Sequence, residues 1–288
     1  MISWRAVSTL GVMGLVAGCA NFQAVDMTAG QLVTASSSWN SVADEFEASC
    51  VRRNEVSDVT SDCSSEKQAT AGLEAANKIL SAYFTALQQT SNGANFSVDS
   101  GISNLSASVQ AIPGVGAPQI QAMSGLASFL ADAATKRLEE RTINLLISEG
   151  APKAEAVIDV MNNVVVPQLT NELNREKSQT QTTFISYIQQ SGSVVDLRKI
   201  DCMSGPSTKN FETGTSYLLA QTYCSKVTTL STKILALANY KNSLNTAKNA
   251  LVNLENGKDN LSSKAIAQQL ISEASKLKGD INKINKAF

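Results

Sequence analysis

The chain has 288 residues, of which 24 are Lys or Arg and 25 are Asp or Glu, so its net charge at pH 7 is −1. This nearly neutral balance, with both signs mixed along the chain, gives no indication of a nucleic-acid-binding surface. Histidine is absent, which excludes Ser-His-Asp and Cys-His nucleophile systems and every His-ligated metal site.

The first predicted element is a short apolar segment at the N-terminus. Arg5 is followed by residues 6–17, which carry no charge, and small residues then precede Cys19. A charged start, a short apolar stretch and a small-residue cleavage site are typical of a secretory signal peptide. The apolar stretch is too short to span a bilayer as a helix, which needs roughly 20 apolar residues.

The end of this segment, Val16-Ala17-Gly18-Cys19, resembles the lipobox of bacterial lipoproteins, in which an aliphatic residue and two small residues precede a lipidated Cys. The resemblance implies a signal peptide over residues 1–18 and a mature chain that begins with lipid-modified Cys19 in the cell envelope. Ala20 follows, and the absence of Asp there resembles lipoproteins of the outer membrane, facing the periplasm. The alternative is a buried N-terminal helix with an ordinary core cysteine.

The other four cysteines are even in number, and an envelope compartment permits disulfides. Of the three possible connectivities, we favour Cys50–Cys63 with Cys202–Cys224, because each pair encloses a turn-rich segment. In the chain-entropy model, loops of this size stabilise a fold by about 3 kcal/mol each. A four-Cys zinc site is the alternative, although no short Cys-x-x-Cys pair is present.

Residues 19–38 hold a single charge, Asp26, among many small and polar residues, which predicts a flexible tether between lipid and domain. Residues 39–288 are predicted to form one helical-bundle domain. From about residue 64 onward the apolar spacing is helical nearly everywhere. The first stripe joins apolar positions in steps of three and four: Leu73, Ala76, Leu80, Tyr83 and Leu87.

Residues 100–131 contain no Asp, Glu, Lys or Arg, and a Pro-Gly break divides them into two arms with helical apolar spacing. An uncharged helical hairpin suits insertion into a bilayer, where a charge costs several kcal/mol. Each arm is shorter than a full span, so an ordinary pair of bundle helices and a flat protein-binding face are the alternatives. The candidate membrane or partner contacts are Ile112, Pro113, Val115, Ile120, Met123, Leu126 and Phe129.

The middle of the chain predicts a helix over about residues 119–149 that ends at Gly150, with Pro152 in the first turn of the next helix. Pro167 lies inside the pattern of that next helix and is predicted to kink or split it. Two charge-rich stretches, residues 136–141 and 171–177, are predicted to be solvated helix faces.

The last predicted elements are two long amphipathic helices. One runs from about Thr215 to Leu254, with Gly257 placed to end it, and the other carries an apolar stripe from Ile266 to Ile284. Their short polar link predicts an antiparallel hairpin. Since no strand pattern of useful length occurs, the predicted fold is all-α, an elongated bundle of long amphipathic helices with antiparallel hairpins.

The sequence contains no nucleophile elbow, phosphate loop or dinucleotide-binding motif, so no catalytic, cofactor or metal site is predicted. The predicted function is that of a non-catalytic envelope lipoprotein, anchored in the membrane by its lipid, whose bundle binds a protein partner in an envelope or secretion assembly or neutralises a toxin. The alternative is a membrane-active protein that inserts the 100–131 hairpin. An enzyme would be confined to carboxylate chemistry.

Overall fold

The computed structural model describes residues 16–57, 60–135, 143–192, 195–207, 211, 213–261 and 263–288, with side chains described from residue 23 onward. All regular structure in these ranges is helical, which confirms the all-α prediction. The α-helices described there are α1 (Val16–Ala43), α2 (Glu45–Glu55), α3 (Ser64–Ser91), α4 (Ile102–Ser108), α5 (Ala117–Thr135), α6 (Ala151–Val160), α7 (Val166–Gln190), α8 (Gly214–Gly257) and α9 (Lys264–Ile284).

Helix α1 packs antiparallel to α3 as part of the bundle. The Thr70 hydroxyl donates to the Ala43 carbonyl (3.1 Å) at one end of the pair, and the Asn92 amide donates to the Asp26 carboxylate (2.6 Å) at the other. The prediction of a flexible tether over residues 19–38 is therefore wrong. Five apolar side chains in this stretch are buried in the core: Ala24, Val25, Ala29, Leu32 and Ala35.

The small and polar residues that suggested a tether have a different physical role in α1. Alanines allow neighbouring helices to approach closely, and hydroxyl side chains are satisfied within the helix. The hydroxyls of Thr34, Ser37 and Ser38 each donate to the carbonyl four residues earlier, at 2.9 to 3.2 Å. Because these groups find partners within the helix, the many small and polar residues did not prevent helix formation.

The main core lies where α1, α3 and α8 meet. Trp39 is fully buried there, and its indole N–H donates to the Ser243 hydroxyl at 2.9 Å. Its ring makes edge-on contacts with Phe84 and Tyr240, with ring centroids 6.3 and 6.0 Å away. These aromatic contacts connect three helices that are far apart in sequence.

Helices α4 and α5 form the predicted uncharged hairpin and pack on α3. A glycine makes the contact possible, because a Cβ atom added to Gly72 would lie only 2.8 Å from the Ser108 carbonyl oxygen. The turn between the two helices includes Gly114, whose φ is +82°, a conformation that favours glycine. The hairpin is therefore a layer of the bundle.

The chain is continuously helical from residue 143 to Gln190 and includes two π-helical turns, Leu146–Gly150 and Met161–Val165. The predicted helix end at Gly150 is wrong, since α6 continues directly after the first π turn. A Cβ atom added to Gly150 would lie 2.7 Å from the Phe129 and Tyr83 rings. Close packing against these two rings therefore accounts for a glycine at this position. The interruption predicted at Pro167 takes the form of the second π turn immediately before it.

Helices α8 and α9 form the predicted antiparallel hairpin. Helix α8 has 44 residues and is about 66 Å long at 1.5 Å per residue, so it runs the length of the molecule. It lies antiparallel to α6 and α7, as shown by the Lys248–Asp159 ion pair (2.7 Å) and the Lys177–Ser231 hydrogen bond (3.1 Å).

These pairings define the two ends of the bundle. The end that contains the start of α1, where the predicted lipidation site lies, is called the anchor end. It also includes the segment after α3 that begins at Asn92 and residues 258–261 between α8 and α9. The disulfide end comprises α2, the end of α7, residues 195–207 and the start of α8.

Candidate functional site at the disulfide end

Helix α2 is held to the bundle by buried ion pairs. The Arg52 guanidinium donates to both oxygens of Glu176 on α7, at 2.7 and 2.9 Å, and to Glu45 at 2.7 Å. Lys233 of α8 donates to the other oxygen of Glu45. The side chains of Glu45 and Glu176 are 6% and 3% exposed, so these charges are balanced by partners instead of by water.

Arg53 makes a second set of ion pairs beside the first. Its guanidinium donates to Glu172 on α7 at 2.7 Å and to Glu66 on α3 at 2.9 Å, and the Arg53 side chain is 3% exposed. Burial alone would raise the pKa of Glu66. The hydrogen bonds from Ser65 and from the Glu66 backbone, together with the Arg53 charge, hold this pKa below its ordinary value.

We call these seven residues the ion-pair cluster: Glu45, Arg52, Arg53, Glu66, Glu172, Glu176 and Lys233. Burial lowers the pKa of Arg52, but the Glu176 and Glu45 carboxylates more than compensate and keep its guanidinium charged. Every carboxylate in the cluster has a cationic partner, so the buried negative charges are balanced within the cluster. The arrangement therefore supports a structural role.

The ion-pair cluster was not predicted from the sequence. Residues 171–177 were predicted to be a solvated face, yet Glu172 and Glu176 point into the bundle; Asn171, Asn174 and Arg175 are exposed as predicted. The spacing of Glu172 and Glu176 places them on one side of a helix, and the Arg52-Arg53 pair was visible in the sequence. The other charge-rich stretch, residues 136–141, lies outside the described residues.

The two disulfides are those the sequence predicts. Cys50–Cys63 closes the loop after α2, with Cα atoms 5.8 Å apart, and Cys202–Cys224 joins residues 195–207 to α8, with Cα atoms 4.9 Å apart. The four-Cys zinc alternative is contradicted, because all four sulfurs are paired. Among the described residues, no group of three or more Asp, Glu or Cys side chains is arranged to hold a metal ion.

A rigid turn at the disulfide end presents one apolar side chain to solvent. The Met203 N–H donates to one oxygen of Asp201 at 2.9 Å, and the Ser204 hydroxyl donates to the other. These bonds hold the pKa of Asp201 below its ordinary value. A disulfide bonds Cys202 to α8, and the Met203 side chain beside it is 88% exposed.

A second exposed apolar side chain lies on α8 near this turn. Leu218 is 61% exposed and precedes Cys224 by six residues, which corresponds to about 9 Å along the helix. We call Met203 and Leu218 together the exposed apolar pair. Beneath them lies a small core, separate from the main one, made of Val56, Phe184, Ile188, Leu197, Ala220, Tyr223 and Cys224.

The predicted hairpin contacts fall into two groups in the structure. Four side chains are buried in the main core: Ile112, Met123, Leu126 and Phe129. Val115 and Ile120 are half-buried, and Pro113 is exposed at the turn. The apolar face of this hairpin is therefore covered by neighbouring helices, and it would have to leave the core to contact a bilayer or a partner.

The predicted lipidation site is only partly described. The backbone of Cys19 lies in α1, whereas its side chain and residues 1–15 are outside the described set. Over the part of the chain that the structure covers, every helix falls short of the apolar length needed to cross a membrane. Comparisons with protein-family models, with curated proteins and with solved structures gave no match to this chain.

Proposed function

We propose that this chain is a non-catalytic lipoprotein of the cell envelope, anchored through Cys19, whose helical bundle binds a protein partner at its disulfide end. The observation that carries the binding role is the exposure of Met203 on a turn that a disulfide and two hydrogen bonds hold rigid. Ordering a loop on binding costs free energy, and a turn that is already fixed avoids this cost.

The chemistry of the exposed apolar pair supports a protein as the partner. Methionine adapts its shape to irregular apolar surfaces, and it is common at protein-binding faces. Leu218 on α8 offers a second, branched apolar side chain that is exposed at this end. Among the described large apolar side chains at this end, these two are the most exposed, so their burial would give the largest local gain in free energy.

The envelope location is proposed from the lipobox-like sequence and from the cysteines. Residues 16–19 supply the site for lipid attachment, and two disulfides are typical of proteins that fold in an oxidising compartment. Ala20 favours the periplasmic face of the outer membrane. With several acyl chains each contributing about 0.8 kcal/mol per buried methylene, anchoring would be permanent.

The binding role is tested by crosslinking the lipoprotein in its native envelope and identifying the captured protein by mass spectrometry. We expect Met203→Ser and Leu218→Ser to reduce capture of the same protein by about tenfold or more, which corresponds to about 1.4 kcal/mol. The matched control is Leu235→Ser, because Leu235 is 69% exposed on α8 but lies about 25 Å along that helix from Leu218. Equal capture by all three variants would contradict the proposal.

The anchor is tested separately by the mass of the N-terminal peptide. The wild-type protein should carry acyl chains on Cys19, and Cys19→Ser should leave a chain that is uncleaved or unlipidated. A Cys19→Ser protein that still fractionates as an integral lipoprotein would show that the lipobox interpretation is wrong.

A further inference from the structure

The distance between the lipid and the folded bundle follows from where α1 begins to pack. Helix α1 includes Cys19 in its backbone, and among the side chains that the structure describes, from residue 23 onward, the first buried one is Ala24. If these residues stay helical, the Cα atoms of Cys19 and Ala24 are about 7 Å apart. Even a fully extended chain would separate them by at most about 18 Å.

The elements around the start of α1 are fixed by specific contacts. Asp26 accepts a hydrogen bond from Asn92, just after α3. Helix α8 ends at Gly257, where an added Cβ atom would lie 2.9 Å from the Ile266 side chain of α9. Lys258 is the first residue of the turn between α8 and α9, and it is exposed at the anchor end.

We infer that the anchor end lies directly on the surface of the bilayer and that the disulfide end points away from it. This inference rests on the proposed lipid anchor at Cys19. A lipid attached so close to a packed helix holds the whole anchor end near the headgroups. Because α8 is about 66 Å long, the exposed apolar pair would then be presented tens of ångströms from the membrane.

The charges at the anchor end indicate how it contacts lipid. The described charged residues there have both signs: Asp26 lies on α1, and Lys258, Asp259 and Lys264 lie in or next to the turn between α8 and α9. A mixed surface gains little from anionic headgroups, unlike a cluster of Lys and Arg. Proximity set by the covalent lipid is therefore the cause of the contact, and salt should not release it.

Native lysines at the two ends provide a test. The lipidated protein is placed in vesicles of phosphatidylcholine and phosphatidylglycerol, which carry no reactive amine, and its lysines are acylated and read by mass spectrometry. We expect acylation of Lys258 to be several-fold slower than in Cys19→Ser protein mixed with the same vesicles. Lys199, exposed at the disulfide end, should react at the same rate in both samples.

A second variant separates proximity from lipidation. An insertion of about 20 Gly and Ser residues after Ala20 adds a flexible coil of about 25 Å and keeps the lipid. Lys258 should then react as fast as in Cys19→Ser protein. If the N-terminal peptide carries no lipid, both the proposed function and this inference fail. If lipid is present and Lys258 is not protected, or Lys199 is protected instead, the inference alone is overturned.

Discussion

The main core and the disulfide end of this bundle are stabilised in different ways. The main core runs from Ala24 in α1 to Ile284 in α9 and consists almost entirely of apolar side chains, with Trp39 at its centre. At the disulfide end the separate apolar cluster has seven buried members. There, the ion-pair cluster connects α2 to α7 and α8, and the two disulfides close the loop after α2 and join residues 195–207 to α8.

The difference shows how a small apolar cluster can support a defined surface. Seven buried side chains contribute little hydrophobic free energy compared with the main core. Disulfides lower the entropy of the unfolded chain instead, and buried ion pairs fix which helices meet. The disulfide end can therefore expose Met203 and Leu218 without losing its shape.

The largest effect is expected from Arg52→Met, which would break the ion-pair cluster. Glu176 would keep a buried charge without a cation, at a cost of about 3 kcal/mol in the free energy of unfolding. Arg175→Met is the matched control, because Arg175 is 67% exposed and its ion pair to Glu172 is 3.9 Å long. Urea unfolding at pH 7 measures both variants, and equal stabilities would show that the cluster does not hold α2.

A similar but more local effect is expected from removing one disulfide. Replacing Cys202 and Cys224 by Ser should destabilise the disulfide end by about 3 kcal/mol in the chain-entropy model. Hydrogen exchange should accelerate over residues 195–230 while Trp39, the only Trp after Cys19, keeps its fluorescence. A parallel change at Trp39 would show that both regions unfold as one unit and would contradict the comparison.

The smallest effects concern two acids with opposite pH dependence. The pKa of Glu66 is lowered on folding, so Glu66 adds stability above about pH 4.5 that is lost as the pH falls through its folded pKa. The pKa of Glu155 is raised by burial and by the Glu255 charge. Protonated Glu155 therefore adds stability below about pH 4.5, and this stability is lost as the pH rises through the folded pKa.

Glu66→Gln should therefore destabilise the protein at pH 7, and Glu155→Gln should stabilise it, each by less than about 1 kcal/mol, as expected for partly exposed charges. The difference between the two variants should shrink as the pH is lowered below 4.5. Thermal unfolding between pH 3 and pH 7 measures this, and shifts of the same sign would contradict the assignment.

The periodicity of apolar residues predicted most helices, including the α8–α9 hairpin, because one apolar face per helix is a local property of the chain. The disulfide pairing was also predicted, since each pair is close in sequence. The tether over residues 19–38 was predicted wrongly. Its composition resembles a linker, and its packing against α3 and α9 was not visible in the sequence.

The sequence by itself determined the all-α fold class, the absence of histidine chemistry and the presence of a lipobox-like segment, because these depend on residue types and short spacings. Tertiary structure alone decided that Glu176 meets Arg52 across 124 positions and that Met203 is exposed while Met123 is buried. Charge pairing and burial depend on which helices become neighbours, and helical periodicity carries no information about that choice.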